Sequence, residues 1–373
     1  MFKIAYIIYS LSNSAGMERS LTMRANFLCD TYNITIITQV GGRDFFSLDD
    51  RVNRLDLGID PSLDKIKIKR ECFKKLSAIL YGNRFDIVIS LGGMELFFLY
   101  KIHDGSKKIV EFRFSYDFYK VLALEKHKGL LGHIIGKCYT WRRNFYARKY
   151  DYIVTLSKRD LTLWNKIVNN VTQIYNPLTI TSSTISNCKE KNVIAVGRLE
   201  YAKGFDLLIR SWNRVSKKHP DWKLSIFGDG TRRRELENLV TELNLSNSVS
   251  LRGRSKNIEK EYSNSSIFVL SSREEGFGLV ITEAEACGLP IITYNCPNGP
   301  GEIVEDNING IVINDVGNIS KLSEAICTLI ENVDLRCKMG KASVVVSQRF
   351  SEKNIKPQWI KLFDNLILDK TDF

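Results

Sequence analysis

Short, nearly unbroken apolar runs recur along the chain. "FKIAYIIY" (2–9), "NITIITQV" (33–40), "FDIVIS" (85–90), "KKIVEF" (107–112) and "DYIVTLS" (151–157) mark the first half. Runs of this length without polar alternation suit parallel strands covered on both faces. Between them apolar positions return every three or four residues, as in "MERSLTMRANFLCD" and "LLGHIIGKCYTWRRNFYARK", which predicts amphipathic helices. The second half repeats the rhythm with "NVIAVG" (192–197), "KLSIFG" (223–228), "IFVLSS" (267–272) and "PIITYN" (290–295), alternating with stretches such as "KGFDLLIRSWNRVSKK" and "TRRRELENLVTELN". Alternating strands and helices predict an α/β protein of parallel, doubly wound, Rossmann-like sheets. The rhythm breaks at "YNPLTITSSTISNCKEK" (175–191), which is polar, Ser/Thr-rich and opened by Asn-Pro. The predicted organisation is therefore an N-terminal domain over residues 1–178, a linker over 179–190 and a second domain over 191–351. Residues 352–373 are expected to form a helix that packs back on the first domain, with a ligand in the cleft between the strand carboxyl ends.

Composition supports this picture. A chain of 373 residues exceeds one ordinary core, and 44% hydrophobic residues supply enough apolar surface for two. No apolar run approaches the roughly 18–20 residues of a membrane span. The opening Lys and apolar run resemble a signal peptide, but the run is short and the charged "MERS" follows it closely, so a buried first strand is expected. Eight cysteines, among them Cys29, Cys138 and Cys287, form no Cys-x-x-Cys pair, and the four histidines show no metal-ligand spacing. Neither a disulfide framework nor a metal site is expected, and the cysteines fit a reducing cytoplasm. Charge is uneven: residues 1–180 hold 28 Lys and Arg against 17 Asp and Glu, the remainder 26 against 25. Nearly all of the net +12 lies in the first half, so the two halves are expected to meet different partners.

Four stretches carry candidate chemistry. The small-residue loop before Gly16 leads from the first strand into a helix whose N-terminus favours an anion. "VGRLEYAKG" (196–204) sends Arg198 and Lys203 from the carboxyl end of a strand, where two cations suit a diphosphate or form a solvated pair. "FGDGTRRREL" (227–236) places Gly228 and Gly230 in a tight turn, useful beside a flat base and common elsewhere. "REEGFG" (273–278) leads from "IFVLSS" into the helix "LVITEAEACG". There Gly276 and Gly278 clear side chains from a loop whose N–H groups can meet an anion or sugar oxygens. Glu275 is expected at the loop rim and Glu283 more than a turn into the helix, two acceptors suited to two polyhydroxylated groups of one ligand.

In combination, Glu-x₇-Glu around Gly-Phe-Gly, "GRLEYAKG" upstream and "GPGEIVEDNINGIVI" downstream resemble a family-4 retaining glycosyltransferase of the GT-B fold (glycosyl transferases group 1), over nearly the whole chain and most specifically over 192–313. The resemblance implies that Arg198 and Lys203 bind the diphosphate of a nucleotide-sugar and offset the charge of the departing nucleotide. Glu275 and the backbone of Phe277, Gly278 and Leu279 would hold the donor sugar, and Glu283 the ribose. The Gly228–Gly230 turn and the Arg252 region would border the base, with Gly16 closing over the phosphates. No metal or other cofactor is implied: the Asp-x-Asp motif of metal-dependent transferases of the other common fold occurs nowhere in the chain. Many relatives carry a histidine beside the donor sugar; here "KKIVEFRFSYDF" offers Arg113, either a clamp for phosphate or acceptor or an ion-pair partner of Glu111 or Asp117.

The implied activity is transfer of a hexose or N-acetylhexosamine, with α stereochemistry, from a donor expected to be UDP-linked to a lipid-linked saccharide. Such a step belongs to bacterial surface polysaccharide assembly, as in capsule or lipopolysaccharide. Residues 120–149 hold eight Lys and Arg against one acid, interleaved with Leu, Ile, Trp and Tyr. This predicts peripheral association of a cytoplasmic protein with an anionic membrane surface, a core helix with a solvated basic face being the alternative. Competing functions are a sugar-nucleotide epimerase of the same fold, whose site would want extra carboxylates and histidines that the sequence does not place, and a non-catalytic GT-B partner subunit, against which the intact Arg198, Lys203, Glu275 and Glu283 stand. A nucleic-acid binder is disfavoured for want of any recognised motif.

Overall fold

The structure, a computed structural model, describes residues 1–127, 129–180 and 184–371. Positions 128, 181–183 and 372–373, within the basic segment, the linker and the last helix expected above, lie outside the described residues. The chain forms two compact units: Met1–Pro177 together with the helix that begins at Glu352, and Leu178–Ser351.

Seven strands build the sheet of the first unit: β1 (Lys3–Ile8), β2 (Asn33–Thr38), β3 (Asn53–Asp56), β4 (Ile87–Ser90), β5 (Lys107–Glu111), β6 (Tyr152–Thr155) and β7 (Val171–Gln173). Their order is β3-β2-β1-β4-β5-β6-β7 and every pairing is parallel. The unbroken apolar character of β1 has a direct cause. Ile4, Tyr6 and Ile8 point into one core with Leu21, Ala25 and Leu28 of the Gly16–Leu28 helix and with Ile355, Trp359 and Phe363 of the Glu352–Thr371 helix. Ala5 and Ile7 point into the opposite core, with Cys72, Leu76 and Leu80 of the Lys65–Asn83 helix. Side chains alternate across a strand, so a strand buried on both faces is apolar at every position.

The second unit has six strands: β8 (Asn192–Val196), β9 (Lys223–Phe227), β10 (Val249–Gly253), β11 (Ile267–Leu270), β12 (Ile291–Tyr294) and β13 (Gly310–Ile313). They are parallel throughout, in the order β10-β9-β8-β11-β12-β13. One face carries the core in which Val193 and Ala195 meet Leu208, Trp212 and Val215 of the Phe205–Lys218 helix and Leu322, Ile326 and Leu329 of the Ile319–Glu331 helix. The order turns at β1/β4 in the first sheet and at β8/β11 in the second. In open α/β sheets the loops leaving the strands at such a turn are where ligands bind. Four strands went unread in the pattern of apolar runs, namely β3, β7, β10 and β13. All four are sheet edges.

Candidate active site

The turn in strand order of the second unit brings two loops side by side: 197–204 after β8 and 271–278 after β11. They are laced together. The N–H of Arg273 donates to the carbonyl of Ala202 at 2.7 Å, and the Ser271 hydroxyl to that of Lys203 at 3.0 Å. The Arg273 guanidinium forks both oxygens of Asp206, at 2.8 and 2.6 Å, and lies over the Tyr201 ring. Asp206 sits in the first turn of its helix, where the macrodipole favours an acid. Burial pushes its carboxyl up, but the hydrogen bonds and charge of Arg273, with the charge of Arg232, outweigh burial and hold it below the ordinary range. The frame sets Lys203 Nζ at 2.5 Å from Glu275 Oε1, which also accepts from the Ser272 hydroxyl at 2.7 Å. Glu275 is therefore not at the loop rim, as expected, but buried against its two partners.

Arg198, in contrast, projects into solvent, and no other described residue pairs with its guanidinium. It does not form a pair of equals with Lys203. Beyond Gly276, the Phe277 side chain is buried edge-on against Phe350, which anchors the loop. Gly278, at φ +97, then opens the Leu279–Ala286 helix with no side-chain cap. The first N–H groups of a helix have no partner inside it, so Leu279 and its successor present donors to an incoming anion. Glu283 is buried rather than a solvated helix carboxylate; Thr179 donates to one oxygen at 2.6 Å and the Tyr262 hydroxyl to the other at 3.3 Å. Gly228 and Gly230 serve packing. A Cβ on Gly228, at φ +135, would meet the Gly197 carbonyl oxygen at 1.9 Å, and one on Gly230 would meet that of Leu199 at 2.6 Å. The turn thus lies directly on the loop that carries Arg198. Arg252 is the penultimate residue of the edge strand β10, exposed and unpaired among the described residues.

Two candidates lie in the first unit. Gly16 starts the Gly16–Leu28 helix, whose N-terminus is exposed and has no side-chain cap. Arg113 forms a buried ion pair. It donates to Glu111, which is also forked by Arg24 at 2.8 and 2.6 Å, and all three side chains are buried. Asp117, the other partner considered, pairs with Arg159. Of the two readings of Arg113, the ion pair with Glu111 is the one formed.

Several site features went unread in the sequence. Asp206, Ser272 and Arg273 position Lys203 and Glu275; the signal was an acid in a helix first turn and an arginine two residues before Glu275. In the first unit a cavity of about 180 Å³ opens at the ends of β1, β2 and β4, lined by Tyr9, Gln39, Val40, Ile59 and Met94. The Gln39 amide there donates to the buried Glu95 at 2.8 Å. No motif marks it.

Two parallel, doubly wound sheets, the second presenting cations and buried carboxylates at its crevice, define a protein of the GT-B class of glycosyltransferases. Residues 179–344 match the model of the family glycosyl transferases group 1. An uncharacterized glycosyltransferase of Haemophilus influenzae is 30% identical over 368 residues, covering 96% of this chain and 99% of that protein. The chain belongs to the glycosyl transferases group 1. A second relative, 26% identical over 97% of this chain and 98% of its own, is the Campylobacter jejuni GalNAc-alpha-(1->4)-GalNAc-alpha-(1->3)-diNAcBac-PP-undecaprenol alpha-1,4-N-acetyl-D-galactosaminyltransferase. Among solved structures, an S. aureus TarM mutant in complex with fondaparinux, alpha-GlcNAc-glycerol and UDP superposes with a TM-score of 0.82 at 17% identity, over 97% of this chain and 100% of that one. At that identity the likeness is one of fold.

Proposed function

We propose that the protein transfers a hexose or N-acetylhexosamine from a UDP-sugar to a lipid-linked saccharide in bacterial surface polysaccharide synthesis, with retention of configuration and no catalytic metal. The observation that carries the reading is the contact between Lys203 and Glu275, 72 residues apart, beside the exposed Arg198 and the uncapped helix at Leu279. When the bond from the anomeric carbon to the phosphate breaks, the diphosphate gains a negative charge. Lys203 brings three N–H donors, and Glu275 takes one of them in this structure. Arg198 adds a planar fork for two phosphate oxygens. Fixed cations of this kind stabilise the leaving group without reorganisation, commonly the largest catalytic contribution. Glu275 accepts hydroxyls of the donor sugar, and the N–H groups at Gly278 and Leu279 add donors. Glu283, set more than a turn into the Leu279–Ala286 helix with Glu275 on the loop before it, takes the ribose. The acceptor hydroxyl attacks the face the phosphate leaves, and its proton passes to the departing phosphate oxygen.

A UDP-bound neighbour of the same fold and a relative that acts on an undecaprenol-linked saccharide support the choice of substrates. So does the surface of the first unit. On the Gly129–Ala147 helix, Leu130, Leu131, Ile134, Trp141 and Phe145 are exposed beside Lys137 and Arg142. Arg143 alone turns inward, to the Tyr116 carbonyl and the Trp164 ring. Among the described residues no helix is long and apolar enough to cross a membrane. An exposed apolar face that also carries two cations suits a protein lying on an anionic bilayer, each well-placed cation adding about 1 kcal/mol. The reading is tested by incubating the protein with α-linked UDP-hexoses and lipid-linked saccharides in EDTA. Product with an α linkage by NMR is expected; a β linkage rejects retention, and activity only on added divalent cation rejects metal independence.

A further inference from the structure

The Phe205–Lys218 and Ile319–Glu331 helices lie side by side in the second core, tied at the start of the second helix, where the Arg214 guanidinium donates to the Ser320 hydroxyl. At the other end three ligand-bearing residues converge. His219 follows the last residue of the first helix, and Cys327 and Glu331 stand four apart on the second, hence on one face. Their ligand atoms all lie within 4.8 Å of one another, and His219 Nε2 is 3.0 Å from Glu331 Oε1. Among the described residues this is the one such group of His, Cys and carboxylate. The spacing argument from the sequence did not find it, because His219 reaches the other two only through the packing of two helices.

We propose that His219, Cys327 and Glu331 bind a zinc ion that clips these helices together, with water in the fourth position. Zinc takes sulfur at about 2.3 Å and nitrogen or oxygen at about 2.0–2.2 Å, so tetrahedral ligand atoms stand roughly 3.3–3.8 Å apart. His219 Nε2 and Glu331 Oε1, at 3.0 Å, part slightly to admit the ion, and Cys327 Sγ, within 4.8 Å of both, closes by up to about 1.3 Å; the Glu331 carboxylate, 59% exposed, has room to swing. A thiolate, a carboxylate and a neutral imidazole carry two negative charges, which a divalent ion cancels. A thiolate with an imidazole also favours zinc over magnesium or calcium. Binding releases the thiol proton to solvent. The site is structural rather than catalytic. Lys203 precedes a helix of 14 residues and His219 follows it, about 21 Å away along the axis.

The test uses the full chain freed of metal, carrying Cys138→Ser and Cys337→Ser to remove the other thiols that are not fully buried. Titration with Co²⁺ as a spectroscopic substitute reports the ligands. One ion per chain is expected, with the intense visible bands of four-coordinate cobalt and a near-ultraviolet thiolate charge-transfer band. Zn²⁺ should displace it with a dissociation constant at or below about 1 µM. Saturating zinc should raise Tm by about 4–10 °C and leave UDP binding unchanged. Cys327→Ser should abolish the charge-transfer band, and His219→Asn or Glu331→Gln, both at exposed or half-buried positions, should weaken zinc binding at least tenfold. A charge-transfer band that survives Cys327→Ser, or no bound cobalt in the parent, overturns the proposal. Neither readout involves a nucleotide-sugar, so its failure is separate from any failure of the transferase reading.

Discussion

Replacing Glu111 with glutamine isolates what the buried charge cluster of the first unit contributes. The Glu111 side chain is fully buried, takes two hydrogen bonds from Arg24 and one from Arg113, and Arg24 lies over the rings of Tyr6 and Trp359 at 4.8 and 4.3 Å. Removing the shared partner leaves two buried guanidiniums without a counter-charge, which costs about 3–5 kcal/mol. The acidity of the carboxyl leads to a similar figure. Burial pushes it up, but the charges of Arg24 and Arg113 and their hydrogen bonds outweigh burial and bring it from 4.5 to about 2. That displacement corresponds to about 3 kcal/mol. Because the folded value is depressed, this stability is fully present above pH 4.5 and fades as pH falls toward 2. Urea unfolding followed by circular dichroism should show Glu111→Gln less stable by about 3–5 kcal/mol at pH 7. The gap between variant and wild type should narrow steadily below pH 4.5. A variant within about 1 kcal/mol of wild type at pH 7, or a gap that does not change with pH, refutes the reasoning.

Three further substitutions probe other parts. Gly228→Ala places a Cβ 1.9 Å from the Gly197 carbonyl oxygen at a left-handed φ, so it should cost at least about 1–3 kcal/mol and weaken nucleotide binding through the Arg198 loop; thermal unfolding and titration check both. Glu285 is buried with one oxygen accepting from Asn309 and the other without a hydrogen-bond partner among the described residues, and burial pushes its carboxyl well above the ordinary range. The folded state therefore holds a proton that the unfolded state releases above about pH 4.5, and stability falls as pH rises. Glu285→Gln should gain on wild type as pH rises above about 4.5, by at most about 1.4 kcal/mol per pH unit, and parallel pH curves would contradict this. Leu130→Ala with Trp141→Ala removes two of the most exposed apolar side chains of the Gly129–Ala147 helix, and sedimentation with anionic vesicles should fall about tenfold or more.

What could be read from the sequence followed from how completely each element is covered. Strands with neighbours on both sides carry unbroken apolar runs because helices bury both faces. The four edge strands do not: Asn53–Asp56 is exposed or half-buried at every residue, and β13 begins at a glycine. Arg198, Lys203, Glu275 and Glu283 were identifiable as a group because motif order along the chain is linear information. The Lys203–Glu275 contact was not, since it depends on β8 lying beside β11 and so joins residues 72 apart in the chain. Arg113 shows the same limit: whether it meets a ligand or Glu111 is decided by Arg24, 87 residues from Glu111, which completes the buried cluster. His219 and Cys327 were likewise invisible as neighbours until two helices were packed.

Titration calorimetry of UDP in EDTA, on wild type and Arg198→Ala, tests the donor site most directly. Arg198 is exposed and pairs with no other described residue, so its loss should leave Tm within about 1 °C while removing a charge-assisted fork on the diphosphate. Wild type should bind UDP without metal, and the variant should bind at least tenfold more weakly. Equal affinity in the two proteins, or no binding by wild type, contradicts the assignment of this crevice to a nucleotide-sugar.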